Sequence, residues 1–230
     1  MKAMAMRFVK LMAGLFLISL GVVLTCQAGL GIAPWDVLHQ GLAAVTSMTM
    51  GQMSIGVGVC VLVVDLLARE RIGLGTLINL VFIGVFMDVI SACNARLGLI
   101  PTAQSLPMGL LLLALSFPPM AYGMYLYMSP KMGAGPRDSL MVAVTRRLPC
   151  SVGVCRMIIE AIVLLVGWLL GGTVGIGTVI LVLLNGPAMQ LCFQLCHFDV
   201  EAKPNESVAE TLNAIWMLRK TKAAAGAKGK

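Results

Sequence analysis

The sequence predicts an all-α polytopic membrane protein with six transmembrane helices, arranged as an inverted 3+3 repeat. Each repeat carries a short helix after its first span. Three observations predict this: apolar runs long enough to cross a bilayer, an internal repeat, and a one-sided distribution of basic residues. The chain of 230 residues is 59% hydrophobic and 12% charged, about half the charge of a soluble domain.

Runs near twenty residues cover roughly 30 Å of hydrocarbon as a helix. Six are read, at about Phe8–Ala28, Gly51–Ala68, Leu74–Cys93, Met108–Met128, Gly153–Gly171 and Val174–Cys196. They are continuously apolar and lack the alternation of a barrel wall. The first follows a basic start (Lys2, Arg7, Lys10), yet exceeds the core of a signal peptide, so it reads as a retained span.

Sliding the sequence along itself by about a hundred residues aligns two stretches without a gap. Gly21 falls on Gly123, Gly31 on Gly133, Pro34 on Pro136 and Asp36 on Asp138. Gly51 falls on Gly153, Gly73 on Gly175, Gly75-Thr76 on Gly177-Thr178, and Gly84 on Gly186. The domains expected are residues 1–100 and 101–196 as the two repeats, then a cytoplasmic tail over 197–230.

With the N-terminus in the cytoplasm, Lys2, Arg7, Lys10, Arg69, Arg71, Lys131, Arg137, Arg146, Arg147, Arg156 and the tail lysines all fall inside. Arg96 alone falls outside. This is the positive-inside bias of short loops. Both termini are expected to be cytoplasmic, in a cell inner membrane. Three spans per repeat is an odd number, so the second copy enters from the opposite side. Many secondary transporters are built this way, with substrate held at the repeat interface.

Between the first two spans of each copy lie Gly29–Asp36 and Gly133–Asp138. Glycine permits close turns, proline suits a first helical position, and an aspartate in the first turn meets the helix dipole favourably. Short helices are expected over Pro34–Val45 and Pro136–Arg147. One reading lays them at the membrane surface on an apolar stripe of Trp35, Leu38, Leu42 and Val45. The other makes them re-entrant half-helices whose amino ends attract an anion at a central site.

Glu160 falls mid-span, a functional candidate by default, with Arg156 one turn away to pair with it. Ser54 and Gly58 stand at these positions in the first copy. Asp65 reads as an interface anchor beside Arg69, Asp88 as facing a cavity or headgroups, and His39 as a solvated residue. Asn79 and Asn185 read as interhelical hydrogen-bonding groups, and Gly167 with Gly171 as a close-approach spacing. The candidate substrate-binding residues are Gly31, Pro34, Asp36, Gly133, Gly135, Pro136, Arg137, Asp138, Arg156 and Glu160. Asp36 and Asp138 shape the loops or bind a polar group. Arg137 offers charge to an anion, and Glu160 responds to protons.

No cysteine or histidine cluster has metal-ligand spacing, no phosphate loop is present, and two histidines assemble no catalytic triad. No catalytic residue, metal or cofactor is therefore expected, and no nucleic-acid partner, since the net charge of +7 is spread over membrane loops. The partners expected are the lipid bilayer, a small solute that Arg137 would suit as an anion, and a second copy in a homodimer. In the tail, Ser207 with Glu210 resembles a capping box, opening an amphipathic helix with Val208, Leu212, Ile215 and Trp216. The end from about Thr221 is expected to be disordered.

The Gly-x-Gly-x-x-Pro-Trp-Asp element at Gly29–Asp36 resembles the first motif of the YczE family of bacterial integral membrane proteins, related to the YitT type. Gly135-Pro136-Arg137-Asp138 resembles the second motif. Arg156 with Glu160, the glycine-rich stretch Gly167–Thr178, and Gly186-Pro187 resemble the family's second half. The resemblance covers roughly residues 10–196. It implies a polytopic bacterial membrane protein and names no substrate. The function expected is a small-solute transporter or channel-like protein. The alternative is a non-transporting accessory or scaffold protein.

Overall fold

The computed structural model describes residues 2–70, 72–133, 135–145 and 152–198. Eight helices run through them: α1 (Lys2–Ala28), α2 (Pro34–Val45), α3 (Met50–Leu67), α4 (Leu74–Leu97), α5 (Leu106–Met128), α6 (Pro136–Thr145), α7 (Val152–Leu169) and α8 (Ile176–Leu195). The sequence-predicted boundaries hold to within a few residues, apart from the earlier start of α1. Arg146 and Arg147, the predicted tail helix and the predicted disordered end lie outside the described residues. Five helices are long and apolar enough to cross a membrane: α1, α3, α4, α5 and α8. α7 matches the remaining predicted span in position.

The backbone repeats as the sequence does. Left-handed residues fall in matched pairs: Gly29 (φ 64°) with Lys131 (φ 54°), Gly31 (103°) with Gly133 (135°), and Arg69 (58°) with Gly171 (97°). Arg69 and Gly171 each close a helix in the same way. The Arg69 amide donates to the Leu66 carbonyl and the Glu70 amide to the Asp65 carbonyl. The Gly171 amide donates to Trp168 and the Gly172 amide to Gly167. This is the double bond of a Schellman terminus. Glycine makes the left-handed turn of α7 free of strain, whereas the arginine at the matched position of α3 does not.

The two halves are joined by exchanged contacts. The Gly177 amide, at the start of α8, donates to the Leu30 carbonyl at 2.7 Å. Its counterpart, the Gly75 amide at the start of α4, donates to the Met132 carbonyl at 2.7 Å. Thr178 and Thr76 complete each corner by accepting from the Gly175 and Gly73 amides, both at 3.3 Å. Likewise α2 packs on α7 while α6 packs on α3, and α1 lies along α5. In that last seam Gly14 meets Gly123, and Gly21 meets Ser116, a pair of contacts with the halves exchanged. Small residues let these backbones approach closely, the usual basis of helix association in lipid.

One half of the core gathers where α1, α4 and α5 meet, around Leu11, Leu15, Tyr127 and Met132. The Arg7 guanidinium donates to the Pro130 carbonyl at 3.0 and 2.6 Å, tying the start of α1 to the chain just beyond α5. Ser19 reaches the Ile83 carbonyl of α4 at 3.1 Å. Asp88 is half-buried. It caps α3, accepting from the Thr49 hydroxyl at 2.5 Å and the Gly51 amide at 3.1 Å.

A Cβ on Gly31 would lie 2.5 Å from both the Gly175 amide nitrogen and the Thr178 hydroxyl, at a φ that L residues rarely adopt. Gly31→Ala is therefore expected to destabilise the protein by more than about 2 kcal/mol in detergent unfolding. Gly133→Ala, its counterpart, should do the same. Gly56→Ala, on open space, should change stability by no more than about 0.5 kcal/mol.

Candidate functional site

The starts of α2 and α6 meet inside the bundle. Trp35 is the second residue of α2, and Arg137, at the matched position of the repeat, is the second residue of α6. The Arg137 guanidinium carbon stands 5.0 Å from the Trp35 ring centroid. A cation over an indole at this range is attracted by about 0.5–2 kcal/mol, more where water is excluded. That two matched residues touch one another places this contact where the halves exchange.

Proline opens both helices, fixing φ without losing a hydrogen bond. The glycines before it let the chain turn tightly onto the opposite half. α2 then lies across the C-terminal turn of α7. A Cβ on Gly167 would meet the Leu38 backbone at 2.5 Å, and one on Gly41 would collide with the Gly167 carbonyl. The Gln40 side chain accepts from the Thr173 amide at 2.6 Å. Pro34, Asp36, Val37, His39 and Gly41 are buried. Of the expected apolar stripe, Trp35, Leu38 and Leu42 are half-buried and Val45 is exposed. The face that packs on protein carries Pro34, Val37 and Gly41, where glycines at the crossing admit the helix.

His39 is corrected as well. It was expected to be solvated and is wholly buried. Its Nε2 lies 3.3 Å from Arg137 Nη2. A guanidinium can only donate, so Nε2 accepts and the ring proton sits on Nδ1. That nitrogen faces Asp36 Oδ1 at 3.6 Å, too long for a hydrogen bond, and has no other partner among the described residues. Trp35, Asp36, His39 and Arg137 thus form one chain of contacts across the start of both short helices.

A cavity of about 20 Å³ adjoins this chain. Trp35, Pro136, Arg137, Ser54, Gly58 and Asn79 line it, with the aliphatic faces of α3 and α4. Such a volume holds about one water, far below the several hundred Å³ of a drug-sized site. The cavity exists on the α3 side because Ser54 and Gly58 are small. At the matched positions of α7 stand Arg156 and Glu160.

Those two residues are not part of the cavity. Arg156 Nε donates to Glu160 Oε1 at 2.9 Å, with side chains 53% and 23% exposed. The predicted pair forms, and neither residue lines this cavity. Gly31, Gly133 and Gly135 shape the loops, and Pro34 and Pro136 the helix starts. The side chain of Asp138 lies outside the described residues. Sequence reasoning missed Trp35, His39, Ser54 and Asn79 as site residues. Its usable signals were the small residues facing Arg156 and Glu160 in the repeat, and a polar Asn79 inside an apolar span.

This architecture has relatives. Residues 5–194 match the model of a family of unknown function, DUF6198. An uncharacterized protein of Haemophilus influenzae is 36% identical, over 78% of this chain and 80% of its own. The uncharacterized membrane protein YczE of Bacillus subtilis is 33% identical, over 80% of this chain and 83% of its own. The chain belongs to this YczE-like family. Another Bacillus subtilis relative, the uncharacterized protein YyaS, is 28% identical over 75% of this chain and 85% of its own. No solved structure matches the chain. Membership in the family, with the apolar helices of the fold, makes this an integral membrane protein.

α2 is not among the spanning helices, and the His39 ring titrates by its protein surroundings. Burial holds its pKa below the ordinary imidazole value; Asp36 opposes that shift and the Arg137 charge adds to it. The folded state thus prefers the neutral ring. The stability so conferred is complete above the ordinary value of about 6.5 and falls as pH drops below it, where the unfolded chain takes up a proton the folded one resists. His39→Gln keeps an acceptor for Arg137 and cannot titrate. The thermal midpoint of the wild type should therefore fall more steeply than that of the variant between about pH 7 and about pH 5. Equal slopes would show that His39 does not carry this dependence.

Proposed function

We propose that the chain is a small-solute transporter or channel-like protein, its six spans forming two inverted three-helix repeats with the solute site at their interface. The observation that carries this reading is the meeting of Arg137, Trp35 and His39 at the amino ends of α2 and α6, beside a small cavity that Ser54 and Asn79 also line. Helix amino ends and a guanidinium favour an anion. In inverted-repeat transporters the solute sits at such broken-helix ends between the repeats.

The exchanged contacts and matched left-handed residues support the duplication. The lopsided basic residues support inversion, with both termini cytoplasmic in a cell inner membrane. α7 serves as the remaining span, its Arg156–Glu160 pair neutralised internally. The lipid bilayer is the standing partner, and a homodimer is the proposed assembly. Nothing in the site resembles a nucleophile with its base, so no enzymatic role is proposed.

The cavity of about 20 Å³ represents a closed state. Admitting a solute requires the starts of α2 and α6 to part, and glycines at both loops supply the backbone freedom. The nearly filled interior also favours a second reading, an accessory protein that scaffolds other membrane components without transport.

In proteoliposomes loaded with chloride, phosphate or acetate, the wild type is expected to move at least one anion. Arg137→Gln should slow that flux at least about tenfold, the cost of one charge-assisted contact. Absence of flux for all three, with Trp35 emission unchanged by any of them, would favour the scaffold. Topology is checked separately, in a background without native cysteines. A cysteine at Leu99 should react with an impermeant maleimide from outside intact cells, and one at Arg69 should not. Reaction of both from one side would remove the inverted arrangement.

A further inference from the structure

Asp65 reads from the sequence as an interface anchor beside Arg69, yet it forms no ion pair with that residue. Asp65 is wholly buried, and neither carboxylate oxygen has a hydrogen-bond partner among the described residues. Arg69 instead takes the left-handed turn that ends α3 and points away, exposed. Asp65 occupies the position matched to Gly167, the residue on which the backbone of α2 rests. The counterpart of α2 is α6, which packs on α3 and buries Ser139 and Ala143. Where one half places a glycine under its short helix, the other places a carboxyl group.

Among the described residues, the charged groups around it offer no counter-ion. On its own element and the turn beyond stand Arg69 and Glu70, the latter of like sign. α4 carries no charge before Asp88, which is occupied at the far end capping α3. α2 contributes Asp36 and His39, both engaged at the other short-helix start, and α6 contributes Arg137, engaged with Trp35 and His39. The Asp138 side chain of α6 is not described. A buried carboxylate without a partner is strongly disfavoured, and the group neutralises instead.

We propose that Asp65 is a proton-binding site: the carboxyl group carries a proton at neutral pH. The proton exchanges with water on the side of the membrane where α3 ends. In the loading step one O–H bond forms on a carboxylate oxygen and one hydronium becomes water. The ligand is the proton itself, and no co-reactant is involved. Asp65 is enclosed without a partner among the described residues, whereas Glu160 is paired with Arg156. An ionisable residue enclosed within spanning helices is a functional site by default. The proposal stands on the enclosure of Asp65 and is independent of whether a solute crosses.

Infrared spectroscopy of the full-length protein in lipid nanodiscs tests it. The wild type at neutral pH should show the carbonyl stretch of a protonated carboxylic acid, shifted in heavy water. Asp65→Asn should lose that band, and Glu160→Gln should keep it. Absence of the band from the wild type, its persistence in Asp65→Asn, or its disappearance on adding sodium ions would each overturn the proposal. The wild type alone supplies a second reading. On alkaline titration the band should survive well above the ordinary carboxylate range near about 4, and its loss within that range would equally overturn the proposal.

Discussion

Two backbone hydrogen bonds hold this fold to its purpose: Gly177 amide to Leu30 carbonyl, and Gly75 amide to Met132 carbonyl. Each takes a loop from one half and seats it on a helix start of the other. A helix start has amides without intrahelical acceptors, and a loop has carbonyls without donors. In lipid neither group can turn to water, so an unmade bond is costly. The exchange satisfies both needs at once. It also fixes where the short helices begin, and so brings Trp35 and Arg137 together. The glycines at these corners leave the room that the backbones require.

From this follows a division between what is shared by the halves and what is not. The corners, the left-handed turns and the α1–α5 seam are shared. The side chains under the short helices are not. Ser54 and Gly58 leave a cavity, whereas Arg156 and Glu160 pair with one another. Gly167 accepts α2, whereas Asp65 occupies the corresponding place in the other half. Gly51 and Gly84 touch across α3 and α4, while Gly153 and Gly186 face open space. The duplicated frame is symmetric and its chemistry one-sided.

The frame was largely legible in the sequence. Long apolar runs give helices because a bilayer leaves the backbone no other partner, and proline with glycine marks the short-helix starts closely. Both short helices begin at the predicted proline. What the sequence did not reveal was which face of each helix meets protein. His39 looked solvated because a histidine on a short connector usually is, yet it is buried against Asp36 and Arg137. Asp65 and Arg69 stand one turn apart, so pairing was the natural reading. The left-handed turn at Arg69 carries its side chain away, and such a turn at an arginine has no sequence mark. Glu160 drew attention as an acid within a span, yet it pairs with Arg156 and does not line the cavity.

The central claim is that each short helix is docked on the opposite half. In the structure a Cβ on Gly171 would stand 3.8 Å from the Ala44 Cβ, within the spacing a disulfide needs. Ala44→Cys combined with Gly171→Cys, in full-length protein within native membranes, measures that docking directly. Oxidation is predicted to yield an intramolecular disulfide in high yield. Two cysteines that both react with maleimide but form no intramolecular bond would contradict the account, since α2 would then lie away from α7.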